Sequence, residues 1–563
     1  SPFGIEAFED IKNSLWEGIN KHKGKPLTAF LRAIGSLITL MDDQNASEYI
    51  KLVINILVRE FSSPEDEMKR VLLKVISQSV VRESVSIQLV KENIIPMFWE
   101  SFWLRKICLD RVTSQFLIGT TVALAKKVGP SIILRHLISF LKEDHYALCR
   151  CAMSSITQIL DTCKGNEFEG DLEEKMVDSA AFAFHQQTSE DRNFLLKGFT
   201  KIIKILGIRA KRFLSPIVAN ICVRLRTKSE KIRQQAAELV TGISEALHFC
   251  GEERHLITLS QMLYENLGEE FPDVLASILE ALASVLDVVN HQNFQPPIRD
   301  LLPSLTPILQ NRHVRVQEQL VCLIGKIASK CGEDINPKEW IRICFDLIDL
   351  LKSERKSVRR YAVVTFGYIA QAIGPQDVLV TLINNLKIQD RQMRICTTVA
   401  IAIVAQNCGP FTVLPALMNE YRAPSNNIQN GVLKAISFMC EYVGAMSKDY
   451  VYALITILEN ALLDRDLIHR QSAAVALSHM SIGVAGFGFE QSITHLFNYV
   501  MSNLFETSPH VVNAVTDAFE SYRFAVGPGF ALMYLLQGLF HPAKRVREVY
   551  TRLYNLLYIG AQD

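Results

Sequence analysis

Lys356-Ser357-Val358-Arg359-Arg360-Tyr361-Ala362-Val363-Val364-Thr365-Phe366-Gly367-Tyr368-Ile369-Ala370 is the stretch that decides the fold. An apolar residue followed by arginine, Val358-Arg359, opens it. Val358, Ala362, Thr365 and Ile369 then recur at helical spacing, so one stripe of this helix is apolar. The same phrase returns at Ile232-Arg233, Val314-Arg315, Met393-Arg394 and Val546-Arg547, with His469-Arg470 as a weaker copy. Fainter copies stand at Met68-Lys69, Arg111-Val112, Cys149-Arg150, Asp191-Arg192, Val274-Leu275, Ile428-Gln429 and Val511-Val512. The step between copies is roughly 35 to 44 residues, which is the signature of stacked helix pairs. Ile232, Ala236, Leu239 and Ile243 repeat the stripe in one copy, and Val546, Tyr550, Leu553 and Leu557 in the last.

A cation in the first turn of a helix opposes the helix dipole and needs compensation. An acid of a neighbouring loop is the expected partner, and Asp390, Asp464 and Asp466 sit in such loops. Gly129-Pro130, Gly374-Pro375, Gly409-Pro410 and Gly527-Pro528 punctuate the chain about one helix length after a mark, where glycine ends a helix in a left-handed cap and proline blocks its continuation. The second helix of a unit carries proline in places, as at Pro303 and Pro307, where a bend rather than an end is expected.

The fold class that follows is all-α, a helical-repeat solenoid wound as a right-handed superhelix. It is expected to be one domain over residues 1–563, with about 13 to 14 repeats. No linker, charge block or change in composition divides the 563 residues, 49% of them hydrophobic. Ser1 is not an initiator methionine and neither end shows a polar capping repeat, so the chain reads as a fragment of a longer protein.

Apolar runs such as 399–405 fall far below the roughly 20 residues of a membrane span, and no signal peptide opens the chain. Neither a membrane partner nor a secreted setting is expected. Twelve cysteines are scattered without disulfide or zinc spacing. Cys149 and Cys151 are one residue apart on a helix and point in different directions, which suits packing better than metal binding. Neither a metal nor a cofactor is expected. Thirteen histidines do not cluster with carboxylates, and the HExxH, Walker and GxSxG patterns are missing from the sequence, which argues against an enzyme. Gly483-Val484-Ala485-Gly486-Phe487-Gly488 follows a helix rather than a strand, so it reads as an inter-repeat turn and not as a nucleotide loop.

Binding remains as the task of such a scaffold. Sixty Lys and Arg against 59 Asp and Glu leave a net charge of +1, so distribution matters more than the sum. Arg355, Lys356, Arg359 and Arg360 open one marked helix, Arg391 and Arg394 the next, and Arg312 and Arg315 the one before. Stacking aligns these as a basic stripe suited to phosphate contact or an acidic partner. Arg315 and Arg394 taken alone suit pairing with loop acids, whereas Lys356 and Arg360 exceed what a loop ladder requires. Phe366, Tyr368, Phe438 and Tyr442 are aromatics of the same region able to wall a base pocket, although a core role is the ordinary reading of each. The Phe98-Trp99-Glu100-Ser101-Phe102-Trp103 cluster reads as a packing face.

Longer motifs carry a family resemblance. They are Thr365-Phe366-Gly367-Tyr368-Ile369-Ala370, Ile373-Gly374-Pro375, Cys396-Thr397-Thr398-Val399-Ala400-Ile401-Ala402-Ile403-Val404-Ala405, Pro415-Ala416-Leu417-Met418-Asn419-Glu420-Tyr421-Arg422, Phe505-Glu506-Thr507-Ser508-Pro509-His510-Val511 and Gly538-Leu539-Phe540-His541-Pro542-Ala543. Through these the chain resembles, along its whole length, the C-terminal HEAT region of the splicing factor 3b subunit 1 family, the large HEAT-repeat subunit of the U-two small nuclear ribonucleoprotein.

The resemblance implies a nuclear pre-mRNA splicing scaffold of the spliceosome that binds intron branch-site RNA paired with small nuclear RNA. It also implies other splicing factor 3b subunits as partners, including a small zinc-bearing PHD-finger-like subunit and a large β-propeller subunit. By similarity, Lys356, Arg359, Arg360, Val363, Ile395, Val399, Phe438 and Tyr442 match the pocket region for the bulged branch adenosine, which in the family also receives splice-modulating macrolides. Ile395 stands where animal members are expected to carry valine, and its extra methylene narrows that wall. A HEAT-repeat nuclear transport receptor and a phosphatase scaffold are the alternatives, although the former tend to be acidic and the latter more regular in period.

Overall fold

Thirty α-helices and seven short 3₁₀ or π segments follow one another in the described residues of the computed structural model, which are 9–39, 43–80, 85–143, 145–162, 170–186, 192–388 and 390–560. Asp191 of the faint Asp191-Arg192 mark and Ser1 lie outside the described residues. Among the described residues there is no strand, and no helix is long and apolar enough to cross a membrane. The chain divides into two compact units, residues 1–224 with 238–256 and residues 225–237 with 257–563.

In the first unit the helices Lys25–Ile38, Asp66–Val80, Arg111–Val128 and Tyr146–Thr162 pack each against the next. The marks Met68-Lys69, Arg111-Val112 and Cys149-Arg150 all fall in the opening turns of these helices. Phe98, Phe102 and Trp103 are buried; Trp103 stacks on Phe140 at 4.9 Å and Trp99 on His136 at 5.0 Å. The aromatic cluster is therefore a packing face, as its spacing suggests. Cys149 and Cys151 are both buried and aim at different carbonyls, those of Leu141 and Cys108.

In the second unit eight marked helices follow in order: α1 (Pro272–Val288), α2 (Val314–Cys331), α3 (Lys356–Ile373), α4 (Arg391–Cys408), α5 (Asn426–Val443), α6 (Leu467–Gly483), α7 (Pro509–Val526) and α8 (Lys544–Gly560). Each packs on its successor. The stripe is what they bury: on α3, Val358, Ala362, Phe366, Ile369 and Ala370 are inaccessible to solvent. A single repeat leaves such a stripe half covered, so the stack is the unit of stability. Phe366 thus belongs to the core and is withdrawn as a wall for a base. Tyr368 is half-buried.

Second helices such as Pro375–Asn385 and Pro410–Tyr421 lean on the marked helices beside them. The Gly-Pro junctions are tighter than a left-handed cap. Gly374 and Gly409 have φ of 93° and 91° with ψ of 150° and 140°, an extended region open only to glycine, and the following proline is already the first residue of the next helix. One residue turns the chain from one helix to its partner. Around Pro303 the segment Ile298–Leu305 stays helical and then tightens to a 3₁₀ turn over Thr306–Gln310, so that proline does not end the helix. Gly483–Gly488 closes α6 as a turn, with Gly486 and Gly488 at positive φ.

The arginine of the mark turns out to be a loop tie. Arg359 Nη1 donates to the Ser353 and Glu354 carbonyls at 2.6 and 2.9 Å. Arg547 Nη1 does the same to His541 and Pro542 at 2.8 Å each, and Arg394 Nη1 reaches the Ile388 carbonyl at 2.9 Å. On α5, where glutamine replaces arginine, Gln429 Nε2 donates to the Ala423 carbonyl at 3.0 Å. A long donor in the first turn thus satisfies carbonyls of the loop that delivers the helix, and their negative ends offset its charge. Acids take part in some copies: Arg470 meets Glu506 at 2.6 Å and Arg315 meets Asp273 at 3.4 Å. Asp390 and Asp466 cap α4 and α6 by accepting the Gln392 and Ile468 amides, and Asp464 accepts the Asp466 amide.

Candidate nucleic-acid interface

Residues three and four apart on a helix share a face. On α3 that rule puts Lys356, Arg360 and Val363 together; on α4, Ile395 and Val399; on α5, Phe438 and Tyr442. Lys356 and Arg360 are exposed and, among the described residues, neither meets a carboxylate. Arg359 is half-buried and committed to its loop carbonyls, so it orients the face rather than offering its charge. Val363 is only 5% exposed and supports the face from beneath, whereas Ile395 and Tyr442 are open at 37% and 40%. Val399 and Phe438 are half-buried.

One repeat further along lies a cavity of about 530 Å³ bounded by α4, α5 and α6. Arg391, Arg394, Ile395 and Thr398 line it from α4; Asn427, Asn430, Gly431, Lys434, Ser437 and Phe438 from α5; Ile468, Gln471, Ser472, Val475 and His479 from α6. Of the eight residues matched by resemblance, Ile395 and Phe438 reach this cavity; Lys356, Arg359, Arg360, Val363, Val399 and Tyr442 do not line it.

Three cations and no Asp or Glu face the void among the described residues. Lys434 is half-buried, and its burial, followed by the charges of Arg391 and Arg394, pushes its ammonium pKa down. The polar groups of the wall are held in place. Asn430 Nδ2 donates to Asp466 at 3.1 Å, while Asn430 Oδ1 is buried without a donor. His479 Nδ1 lies 3.0 Å from the Ser437 carbonyl, which favours that nitrogen carrying the proton. Chemically the cavity suits an anion with an apolar portion against Ile395, Phe438 and Val475.

Lys434, Asn430, Gln471 and His479 escape a reading centred on first-turn marks. One signal was present: Lys434 is the lone cation in the run Gly431-Val432-Leu433-Lys434-Ala435-Ile436-Ser437-Phe438-Met439-Cys440. A charge embedded in an apolar stretch is either snorkelling or functional.

A family model described as a PPP2R1A-like HEAT repeat matches residues 371–450. Two curated relatives align over the whole chain. The U2 snRNP component prp10 of Schizosaccharomyces pombe is 46% identical over 563 residues, and the U2 snRNP component HSH155 of Saccharomyces cerevisiae is 46% identical over 562. The alignments cover 47% and 58% of those proteins, so the chain spans about half the length of the curated relatives it matches. Among solved structures, importin beta superposes with a TM-score of 0.61 at 13% identity, covering 98% of this chain and 73% of that one. A Kap121p mutant gives 0.54 at 14%, covering 94% and 58%. At such identities the likeness is one of architecture. The fold is an all-helical HEAT-repeat solenoid.

Proposed function

Because this chain is, along its whole length, a homologue of the U2 snRNP components prp10 and HSH155, we propose that it is the RNA-gripping HEAT region of a U2 snRNP component acting in pre-mRNA splicing. The observation that carries the assignment is the 46% identity sustained over the full chain in two yeasts. The exposed Lys356 and Arg360 and the acid-free cavity beside them support the RNA part of it.

In this reading the region binds the duplex of intron branch site and small nuclear RNA in the nucleus and helps hold the bulged adenosine. Phosphate contacts supply affinity without sequence preference, and base pairing between the two RNAs supplies the sequence. An extruded base loses its stacking in the duplex and recovers part of it against apolar or aromatic walls, for which Ile395, Phe438 and Tyr442 are available. Ile395 takes room that a valine would leave, which counts against tight macrolide binding. The region is a scaffold and performs no bond chemistry. Its partners are other snRNP proteins, among them the PHD-finger-like and β-propeller subunits of splicing factor 3b, and both units belong to one run of about 13 to 14 repeats.

The test is binding of the assembled complex to a branch-site duplex with and without the bulged adenosine at two salt concentrations. Log affinity is expected to fall linearly with log salt, by about 0.9 or less per phosphate contact. Arg360→Glu is expected to weaken binding about tenfold for bulged and unbulged duplex alike. Salt-independent affinity, or wild-type affinity in Arg360→Glu, would overturn the RNA reading.

A further inference from the structure

We propose that the groove between the helices Gly170–Gln186 and Lys211–Leu225 docks an amphipathic helix of a partner protein, one with an apolar face and a lysine or arginine toward one end. The proposal concerns a different surface from the RNA reading and does not rest on it.

The groove encloses about 570 Å³, and all the residues lining it belong to the first unit. Val177, Phe199 and Leu239 line it from beneath and are at most 2% exposed. Ala181 on one wall and Pro216 on the other have short side chains, which leaves the gap between the walls open. Phe184 and Phe199 are buried and stack on one another at 6.3 Å, whereas Phe182 stands on the rim, 43% exposed. An exposed phenylalanine beside an apolar void is the kind of patch that marks a contact surface.

Charge narrows the occupant. Arg212 lines the groove but is spent on its own fold: Nη2 donates to Glu173 Oε2 at 2.7 Å and to the Gly170 carbonyl at 3.3 Å. Glu174 and Asp178, four residues apart on one face, are exposed, and among the described residues neither meets a cation. At the far end His185 is half-buried, and burial followed by the charge of Arg224 pushes its pKa down to about 4, so the ring is neutral at physiological pH. Arg224 can only donate, so His185 Nδ1 accepts from it and Nε2 carries the proton. One end of the groove thus suits a cation and the other an uncharged acceptor.

Shape selects a helix. From Glu174 to His185 the wall runs roughly 16 Å, about three helical turns. Both walls are helices whose backbone groups are already paired within them, so an extended peptide finds no ladder to join. A helix satisfies its own backbone and presents apolar side chains at i, i+3, i+4 and i+7 to such a slot.

The test is selection of a display library of helix-patterned peptides on the full chain, with the enriched peptides synthesised and titrated by anisotropy. They are expected to share an apolar face and a lysine or arginine toward one end. Phe182→Asp should weaken their binding about tenfold or more, and Glu174→Lys combined with Asp178→Lys about fivefold. A peptide whose cation is exchanged for glutamate should regain affinity for the double variant and lose it for wild type, a swap that a merely structural effect would not produce. Because the three side chains are exposed, the variants should melt with wild type and keep its affinity for branch-site duplex.

A library that yields no binder overturns the proposal, and so do enriched peptides that bind Phe182→Asp and the double variant as tightly as wild type. Enriched peptides that carry acids in place of the cation overturn the charge assignment. Self-association of the wild-type chain in sedimentation, abolished by Phe182→Asp, gives the groove to a second copy and overturns the partner.

Discussion

Arg233→Ala is expected to destabilise its repeat by about 3 to 5 kcal/mol, the cost of stranding a buried charge. The guanidinium has every reason to be there. Nε and Nη2 bind the two Glu269 oxygens at 2.7 and 2.9 Å in a fork, and Nη1 donates to the Thr227 and Lys228 carbonyls at 2.8 and 2.9 Å. The side chains of Arg233 and Glu269 are only 13% and 8% exposed. One residue therefore closes its own loop and ties it to the loop that launches α1, where Glu269 also accepts the Phe271 amide. Truncation removes all of this and leaves the Glu269 carboxylate with only the backbone amides of its own turn, those of Glu270 and Phe271.

Arg233→Lys keeps the charge but not the fork and should lie between the two. Hydrogen exchange over residues 225–237 and 265–275 is the measurement, because local opening in a repeat array is not captured by one global transition. Wild-type protection in Arg233→Ala would refute the tie.

Acidity probes the same contact. Burial alone would raise the Glu269 carboxyl, but the Arg233 hydrogen bonds and the backbone amides outweigh it and hold its pKa below the ordinary glutamate range. A depressed folded pKa means the stabilisation is complete above the unfolded value and is lost as pH falls through the folded one. Wild-type protection in these segments should therefore decline as pH drops below the ordinary glutamate range, and Arg233→Ala should lack that decline.

How much was legible follows from which forces are local. The starts of α2, α3, α4 and α8 were visible because an apolar stripe and a first-turn cation are properties of a few neighbouring residues. The stacking order was visible for the same reason: stripes of equal period can be buried only against one another. What the arginine of the mark does was half visible: acids meet it at Arg233, Arg315 and Arg470, as expected of a first-turn cation, but Arg359, Arg394 and Arg547 donate to backbone carbonyls whose position depends on the path of the loop rather than on any side chain.

The interface was half legible. Ile395 and Phe438 reach the cavity, but the period of the marks drew attention to helix starts, and on α5 the cation has moved inward to Lys434. Phe366 takes the core role that was its ordinary reading rather than that of a pocket wall, because a residue beside a basic cluster on the helix can still point to the opposite face. A turn of the helix decides that, and Phe366, four positions after Ala362, belongs with the buried stripe.

Gly483→Val should be the second severe change, and Gly483→Ala a smaller one of about 1 to 3 kcal/mol. A Cβ at Gly483 would stand 2.7 Å from the Gly444 carbonyl oxygen and 3.1 Å from its carbon. The obstacle is backbone, so no rotamer change relieves it. Gly444 itself turns the chain out of α5 at φ 57°, which leaves that carbonyl little freedom to retreat. The helix end of one repeat is thus seated on the turn of the previous one, and a methyl group there must part them. Gly119 gives the contrast: it lies inside the helix Arg111–Val128 with nothing within 4 Å of its would-be Cβ. Gly119→Ala should be neutral or stabilising, by up to about 1 kcal/mol through helix propensity. Thermal unfolding of the pair, with hydrogen exchange over residues 444–450, decides the matter. If Gly483→Ala melts with Gly119→Ala at or above wild type, the stack does not depend on this contact and its repeats are held by their apolar stripes alone.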